Sequence, residues 1–392
     1  MRGQLRDLPR SECVICKGYK RLCGLDRCPI ISDIMERFGT KAEKSFLGAT
    51  PPFVLVGEYN YPNVRVGPAV AGDPELAVKA EDHRFLLERN LLEIARIRTS
   101  HIIAKLSRER DLEEIRLSSM SERPVQLEVE IEKLRRKSFF DSIVPPVGPV
   151  ADAKSVKLSE EPKVPSKIEK VVYDTDLRAV DAVKELYLSG IDVYHSTRLL
   201  SLGMLGTRER RRLVPTRWSI TAVDSMLGDF LKKKVLELPE YSGDILLYKY
   251  EFNDNRYMVL LLPGVYQLKI AEVWLPRGLW TSDKEEVITN YENPVRGFEL
   301  MDGGHYAMRL PVLEHLIRMR RQATCIAIRE IGPGYFIPVG NWQIRESLRK
   351  AFLSEPERYD SLREALSSIL SGLRSRIRIE IPRGIGRLDE FL

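Results

Sequence analysis

Apolar and polar positions follow two different periods along this chain, and each period predicts one kind of secondary structure. A short apolar run at residues 53–57 lies between two prolines and a glycine, which is typical of a buried strand. Over residues 82–117 apolar side chains recur every three or four positions, which predicts helices with one apolar face. The same spacing predicts a helix at residues 176–188, where a glycine follows closely.

The second half of the chain mixes both periods. Runs rich in β-branched and aromatic residues occur at 245–252, 256–262 and 265–274, and the first two are joined by Asn-Asp-Asn. These runs predict an antiparallel meander. Later patterns predict helices at 306–322, 342–352 and 359–373, with a strand at 324–328. The predicted fold class is therefore mixed α+β, a meander with packed helices.

Composition along the chain predicts five segments. They are a four-cysteine metal module (1–40), an N-terminal α/β region (41–143), a proline-rich strap or linker (144–170), a central and C-terminal α+β domain (171–373) and a basic tail (374–392). We predict the strap because five prolines between residues 144 and 166 disfavour regular backbone hydrogen bonding.

Charge and hydrophobicity limit the functional classes. Hydrophobic residues make up 43% of the chain and charged residues 30%, which predicts folded domains rather than global disorder. A run of about 18 apolar residues is absent, so we expect a cytoplasmic protein without a membrane partner. The net charge is only +6, but arginines concentrate at 208–212 and 318–321. Such patches either bind phosphate or form a solvated helix face.

Four of the five cysteines lie within sixteen residues. Two residues separate Cys13 from Cys16, and Cys23 and Cys28 follow after six and four intervening residues. Four thiolates at this spacing predict a structural, tetrahedral Zn²⁺ site. A 4Fe-4S cluster is the alternative, because it also uses four cysteines and because Cys28-Pro29 is similar to the end of a ferredoxin-type ligand run. We expect Cys325 to be a buried small hydrophobe.

The last eight residues have the spacing of a sliding-clamp ligand. Such peptides place an aliphatic side chain three residues before an aromatic pair on one helical turn, as Leu388 and Phe391 do. Leu392 replaces the second aromatic residue, and Ile385 stands where glutamine is usual. The pattern predicts a PCNA-interacting (PIP) motif, and a strand and turn packed on its own domain is the alternative.

Two groups of residues have the side chains of a nucleotide or phosphate site. Arginine offers a fork to phosphate, tryptophan a stacking surface, and glycines before a helix permit close backbone approach. The candidate nucleotide- or phosphate-binding residues are Thr216, Arg217, Trp218, Ser219, His305, Tyr306 and Arg309. In the structural alternative, Trp218 is a core residue and Arg217 pairs with a buried carboxylate.

Candidate catalytic residues lie around the same block. They are His195, Arg217, Asp224 and Glu272. Glu272 is a carboxylate on an otherwise apolar strand, so it is either paired or functional. Walker, Rossmann and histidine metalloprotease motifs do not occur, so the sequence leaves open whether the protein is an enzyme.

Several segments together resemble the archaeal Nre family of DNA repair proteins. The segments are residues 13–28, 57–68, 145–149 and 213–224. The last of them contains the Pro-Thr-Arg-Trp block and is the most specific to the family. The resemblance covers the whole chain. It implies a role in the DNA damage response, a zinc-finger-like N-terminus and binding to PCNA through the C-terminal motif.

Three functional hypotheses follow. In the first, the protein is a DNA repair factor that binds PCNA through its tail and contacts DNA through basic surfaces. In the second, it is an enzyme that acts on a nucleotide or damaged DNA in a pocket around Pro215-Thr216-Arg217-Trp218. In the third, it is a scaffold for other repair proteins.

Overall fold

The computed structural model describes residues 11–38, 46–50, 53–106, 112–136, 138–297 and 302–377. The chain divides into two compact units. The central unit comprises Ser32–Leu227 and Pro338–Gly340, and the cysteine unit comprises Met1–Ile31, Gly228–Ile337 and Asn341–Leu392. Both contain helices and a mixed sheet, which confirms the predicted mixture of α and β structure.

The central unit is built on a six-stranded sheet in the order β1-β5-β6-β4-β3-β2. Its strands are β1 (Phe46–Thr50), β2 (Val54–Val56), β3 (Val66–Val70), β4 (Ile102–Leu106), β5 (Val125–Arg136) and β6 (Val150–Leu158). Only β4 and β6 pair in parallel among these strands. The helices are α3 (Pro74–Glu81), α4 (His83–Leu87), α5 (Leu91–Thr99), α6 (Leu112–Met120), α7 (Ser166–Tyr173), α8 (Ala179–Leu188) and α9 (Val193–Ser201).

Two strands of this sheet correct the sequence predictions. Ile102–Leu106, expected to be helical, form β4, because apolar spacing alone does not separate a short buried strand from a helix. Residues 150–158, assigned to the strap, form β6 and pair with both β4 and β5. The prolines flank β6 and do not interrupt it, so its backbone hydrogen bonds remain available.

The cysteine unit contains a second six-stranded sheet, in the order β10-β9-β11-β8-β7-β12. Its strands are β7 (Ile245–Phe252), β8 (Asn255–Leu262), β9 (Gln267–Trp274), β10 (Glu286–Glu292), β11 (Thr324–Ile331) and β12 (Glu357–Tyr359). Its helices are α1 (Ser11–Cys16), α11 (Gly303–Met319), α12 (Trp342–Ala351) and α13 (Leu362–Gly372). Two of the four unit boundaries fall within α2 (Pro29–Phe38) and α10 (Thr216–Leu236). No helix in the described ranges is both long enough and apolar enough to cross a membrane.

The predicted meander is confirmed only for its first hairpin. β7 and β8 pair in antiparallel, but β11 lies between β8 and β9 and runs parallel to β9. Every residue of β11 is buried, and the strand pairs along both edges, antiparallel with β8 and parallel with β9. The sheet is therefore mixed rather than a meander.

The two faces of this sheet differ in chemistry. Ala271 and Val273 of β9 and Ile328 of β11 pack with α13 in one apolar cluster. Since neighbouring residues in a strand point to opposite faces, Glu272 and Arg329 project from the other face. The alternation thus places two buried charges side by side on one face of the sheet.

Candidate functional site

A buried cluster of charges lies on that polar face of the cysteine unit. Glu272 and Arg329 are register partners on neighbouring strands, and Arg329 Nη1 donates to Glu272 Oε1 at 2.8 Å. Lys17 Nζ donates to Glu272 Oε2 at 2.6 Å and to Asp302 Oδ2 at 2.5 Å. All four side chains are at most 9% exposed. Lys17 therefore bridges two carboxylates in the interior.

Asp302 has a second role as the N-cap of α11. Its Oδ1 accepts hydrogen bonds from the backbone N–H groups of Gly304, at 2.8 Å, and His305, at 3.2 Å. A Cβ atom on Gly304 would lie 3.1 Å from Glu272 Oε1 and 3.0 Å from Asp302 Oδ1. Glycine at this position therefore allows the helix end to approach both carboxylates.

The cluster is balanced in charge. Burial opposes the charged form of Glu272, but Lys17 and Arg329 hold its pKa below the ordinary value. Burial likewise opposes ionisation of Asp302, while Lys17 lowers its pKa. Burial also opposes the charge on Lys17, yet the two carboxylates raise its pKa. Two cations and two anions thus stay ionised at neutral pH.

His305 adds a third group that could bind a metal. Single atoms of Glu272, Asp302 and His305 lie within 4.8 Å of one another. His305 Nδ1 is 3.4 Å from Asn290 Nδ2, and its buried Nε2 has no hydrogen-bond partner among the described residues. A divalent cation here would have to displace Lys17. Because Lys17 and Arg329 already neutralise the carboxylates, the geometry favours an ion-pair network.

The four clustered cysteines line one cavity in the same unit. Cys13 and Cys16 lie on α1, and Cys23, Cys28 and Trp280 are also among the residues that line the cavity. The space measures about 450 Å³, including its opening to solvent. None of the five cysteines forms a disulfide. The sequence prediction that these four residues act as a group therefore has a structural counterpart.

The sulfur spacing tests whether a zinc ion fits this cavity. Zinc–sulfur bonds of about 2.3 Å in a tetrahedral site place neighbouring sulfurs about 3.8 Å apart. Among the described residues, no three cysteine sulfurs lie within 4.8 Å of one another. The four cysteines share a cavity, and the zinc site stays a prediction.

The cysteine segment is not an independent module. Lys17 follows Cys16 directly, and its ammonium reaches Glu272 and Asp302, which are distant in sequence. The chain then turns at Gly18, which has a φ of +82°, and a Cβ there would lie 2.8 Å from Ile31 Cγ1. The segment is therefore anchored to the sheet of the cysteine unit by a buried ion pair.

The Pro-Thr-Arg-Trp block lies at the start of α10 in the central unit. Arg217 Nη1 is 2.6 Å from Glu58 Oε1, and Nη2 pairs with the buried carboxylate of Asp141. Thr216 Oγ1 accepts a hydrogen bond from the backbone N–H of Val56 at 2.8 Å, and Ser219 is fully buried. Three of the four candidates in this block, out of seven predicted to bind nucleotide or phosphate, are thus engaged within the unit.

Trp218 differs from its neighbours because its side chain is 46% exposed. The ring of Tyr61 contacts it with a centroid separation of 5.0 Å, and Tyr59 in the same loop is 92% exposed. We call Tyr59, Tyr61 and Trp218 the aromatic surface. The alternative that Trp218 is a core residue is wrong, whereas the alternative that Arg217 pairs with a buried carboxylate is confirmed.

The other predicted residues occupy interior positions. Burial and Arg198 lower the pKa of His195 to about 2, which keeps it neutral, and Asp224 is buried within α10. Arg309 donates two hydrogen bonds to Glu292 and a third to Asp229. Tyr306 is partly buried in the first turn of α11. Of the four catalytic candidates, Glu272 lies in the cysteine unit and the others lie in the central unit.

An arginine-rich turn precedes α10 in the central unit. Arg208, Arg210 and Arg212 are exposed. Burial, followed by the neighbouring charges of Arg116 and Arg208, lowers the pKa of Arg211. Residues 208–212 comprise four arginines and one glutamate, so this turn carries a net positive charge.

The predicted clamp-binding residues Ile385, Leu388, Phe391 and Leu392 lie outside the described residues. The segment before them is anchored to the cysteine unit. The backbone N–H groups of Arg374 and Ser375 donate to Glu330 Oε2 at 2.8 and 2.9 Å. The Arg374 side chain pairs with Asp254 and Glu330. The first arginine of the predicted basic tail thus has carboxylate partners.

Sequence reasoning did not identify Lys17, Asp302, Arg329, Tyr59 or Tyr61 as site residues. Asp302 carried a usable signal, since Asp before Gly-Gly at the start of an apolar period is typical of a helix N-cap. Lys17 and Arg329 carried none, because their partners are 255 and 57 residues away along the chain.

Comparison with known proteins relates the whole chain to one family. The family description “Archaeal Nre, N-terminal” matches residues 22–281, and “Archaeal Nre, C-terminal” matches residues 290–383. The chain is 38% identical to DNA repair protein NreA of Archaeoglobus fulgidus, with 91% of this chain and 92% of that protein covered. It is 36% identical to DNA repair protein NreB of the same organism (91% and 91%). Identity to DNA repair protein NreA of Haloferax volcanii is 34% (93% and 91%).

No solved structure matches the chain. The two family matches together extend from residue 22 to residue 383, and the relatives are covered over at least 91% of their own length. The chain therefore belongs to the archaeal Nre family.

Proposed function

We propose that this protein is a DNA repair factor that contacts DNA through a basic surface and binds the sliding clamp PCNA through its tail. The observation that carries the repair role is the match, over about nine tenths of the chain, to relatives named as DNA repair proteins. The exposed arginines at 208, 210 and 212 support the DNA contact, because clustered guanidinium groups bind phosphates and release counterions.

The interior placement of the predicted catalytic residues gives less support to an enzymatic function. His195 is held neutral by burial, Arg217 pairs with two carboxylates, and Glu272 pairs with Lys17 and Arg329. A scaffold for other repair proteins would use the same surfaces without chemistry. We therefore propose a binding function.

The clamp proposal predicts that binding depends on the last eight residues. Calorimetric titration of PCNA with the full chain should give binding that is lost in a chain ending at Gly384, because Leu388 and Phe391 supply the apolar side chains of the motif. We expect Phe391→Ala to weaken binding at least tenfold, since one buried aromatic side chain is worth about 2 kcal/mol or more at an interface.

The matched control is Leu353→Ala, which removes an apolar side chain that is 71% exposed elsewhere on the cysteine unit. This variant should bind PCNA as the full chain does. Equal binding by the full and shortened chains would contradict the tail proposal and place the interface elsewhere.

We also propose that Cys13, Cys16, Cys23 and Cys28 hold a metal centre, for which a structural zinc ion is the prediction from their spacing along the chain and a 4Fe-4S cluster is the alternative. Their common position around one cavity supports a shared metal centre.

Metal analysis tests this assignment. Protein purified without oxygen should contain one zinc per chain, whereas about four iron and four sulfide per chain would identify the cluster. Cys16→Ser should lose the metal. Cys325→Ser should keep it, because the Cys325 thiol is buried in the sheet and burial raises its pKa to about 12. A chain purified with neither zinc nor iron would contradict the metal centre.

A further inference from the structure

We infer that the aromatic surface formed by Tyr59, Tyr61 and Trp218 stacks on unpaired bases of single-stranded DNA. This inference rests on the proposed DNA contact and specifies the form of DNA that the central unit recognises. It assigns a binding role to two tyrosines that the sequence motifs did not identify.

Contacts within the central unit fix the position of the aromatic surface. Glu58, at one end of the loop, pairs with Arg217, and Tyr61, at the other end, contacts Trp218. Tyr59 lies between these two attachment points. Arg217 is also paired with Asp141, and Thr216 is hydrogen-bonded to Val56. The residues beside Trp218 are thus fixed, so ordering the indole on binding costs little conformational entropy.

The exposure of these rings is not explained by the fold itself. Large aromatic side chains gain most from burial, yet Tyr59 is 92% exposed and Trp218 is 46% exposed. The other three tryptophans, Trp274, Trp280 and Trp342, are at most 2% exposed. A ligand with flat, apolar faces would cover the exposed rings and recover that burial.

The surroundings favour a nucleic acid base over an apolar protein surface. Asn60, Asn63 and Arg65 in the same loop are exposed, so polar groups interrupt the apolar area. The arginine-rich turn at residues 208–212 ends only a few residues before Trp218 along the chain. Aromatic rings for bases together with guanidinium groups for phosphates are the usual components of a single-strand site.

The aromatic surface is better suited to bind unpaired DNA than duplex DNA. In a duplex, each interior base is already covered on both faces by its neighbours, so an exposed protein ring cannot reach a free face. An unpaired base offers that face, and stacking on it does not depend on base identity. The aromatic surface should therefore give strand selectivity with little sequence selectivity.

The fluorescence of Trp218 can be used to measure binding. Because it is the exposed member of the four tryptophans, its emission should be quenched when a base stacks on it. Titration with a single-stranded oligothymidine at low salt should quench the fluorescence of the full chain. Trp218→Phe should remove the quenching while retaining much of the affinity, which is measured separately by anisotropy of a labelled oligonucleotide.

Affinity measurements test the stacking role directly. Trp218→Ala and Tyr59→Ala should each weaken binding of the oligothymidine about tenfold and leave binding of a duplex of equal length unchanged. Tyr59→Ala is unlike a core substitution, since the side chain is almost fully exposed. The matched control is Tyr173→Ala, which removes a tyrosine that is 66% exposed in the same unit and should change neither affinity.

The outcomes separate this inference from the proposed function. If the alanine variants bind both DNA forms as the full chain does, and binding still weakens with salt, the stacking role is wrong and the basic DNA contact stands. If the full chain binds neither form at low salt, both fail. A selective loss of single-strand binding in the Trp218 and Tyr59 variants supports the inference.

Discussion

Replacing Lys17 with methionine is expected to lower the free energy of unfolding by about 3–5 kcal/mol at neutral pH. The substitution keeps most of the aliphatic stem but removes the ammonium that Glu272 and Asp302 share at 2.6 and 2.5 Å. Arg329 would still pair with Glu272, so Asp302 would be left as the carboxylate without a cation among these four groups. Guanidinium denaturation of both proteins measures the difference.

The pH dependence of this difference identifies its cause. The pKa values of Glu272 and Asp302 are lower in the folded state than in the unfolded chain. Their ion pairs therefore add their full share to the free energy of unfolding above the unfolded pKa of about 4, and this share is lost as the pH falls through the folded pKa values. Lys17→Met lacks the part of this contribution that comes from Lys17 at every pH. Its deficit should therefore shrink as the pH falls below about 4.

Lys20→Met is the matched control, because Lys20 lies in the same segment but is exposed. We expect its stability to remain close to that of the unchanged protein. An equal loss in both variants, or a deficit at Lys17 that does not change with pH, would show that the buried ion pairs are not the cause.

The pattern of apolar and polar residues predicted those helices and strands whose main contacts join residues close together in the sequence. The helices now seen as α11 and α12 were predicted because their apolar period is long, and the β7–β8 hairpin because a polar turn joins two strand-like runs. β4 was missed because a stretch of four apolar residues and one lysine fits either period. The insertion of β11 between β8 and β9 depends on pairing between distant segments, which periodicity does not encode.

The candidate site, too, was predictable only where its residues lie close together in the sequence. Four close cysteines were predicted as a group, and they line one cavity, since their spacing is local. Glu272 was expected to be paired or functional, and it is paired, but the identity of Lys17 as its partner depends on the tertiary fold. The exposure of Trp218 was equally unpredictable, because burial of a tryptophan is decided by the packing around it.

Acidification should destabilise the protein through its buried histidines. Burial, followed by a neighbouring arginine, lowers the pKa of His101 to about 4, of His195 to about 2 and of His315 to about 3. Below the unfolded pKa of about 6.5, the unfolded chain binds protons at these positions and the folded chain does not. Each histidine should therefore remove about 1.4 kcal/mol of stability per pH unit as the pH falls towards its folded value.

His315→Phe tests this effect at one position. The ring of His315 stacks on Phe352 at a centroid distance of 4.1 Å and meets the edge of Tyr248 at 4.9 Å, so phenylalanine preserves the aromatic packing. It also removes a buried Nε2 that has no hydrogen-bond partner among the described residues. Between about pH 6 and pH 4 the free energy of unfolding should fall less steeply with pH in this variant than in the unchanged protein. The two slopes should differ by about 1.4 kcal/mol per pH unit. Identical slopes in denaturation series at pH 7, 6, 5 and 4 would mean that His315 takes up its proton in the folded state.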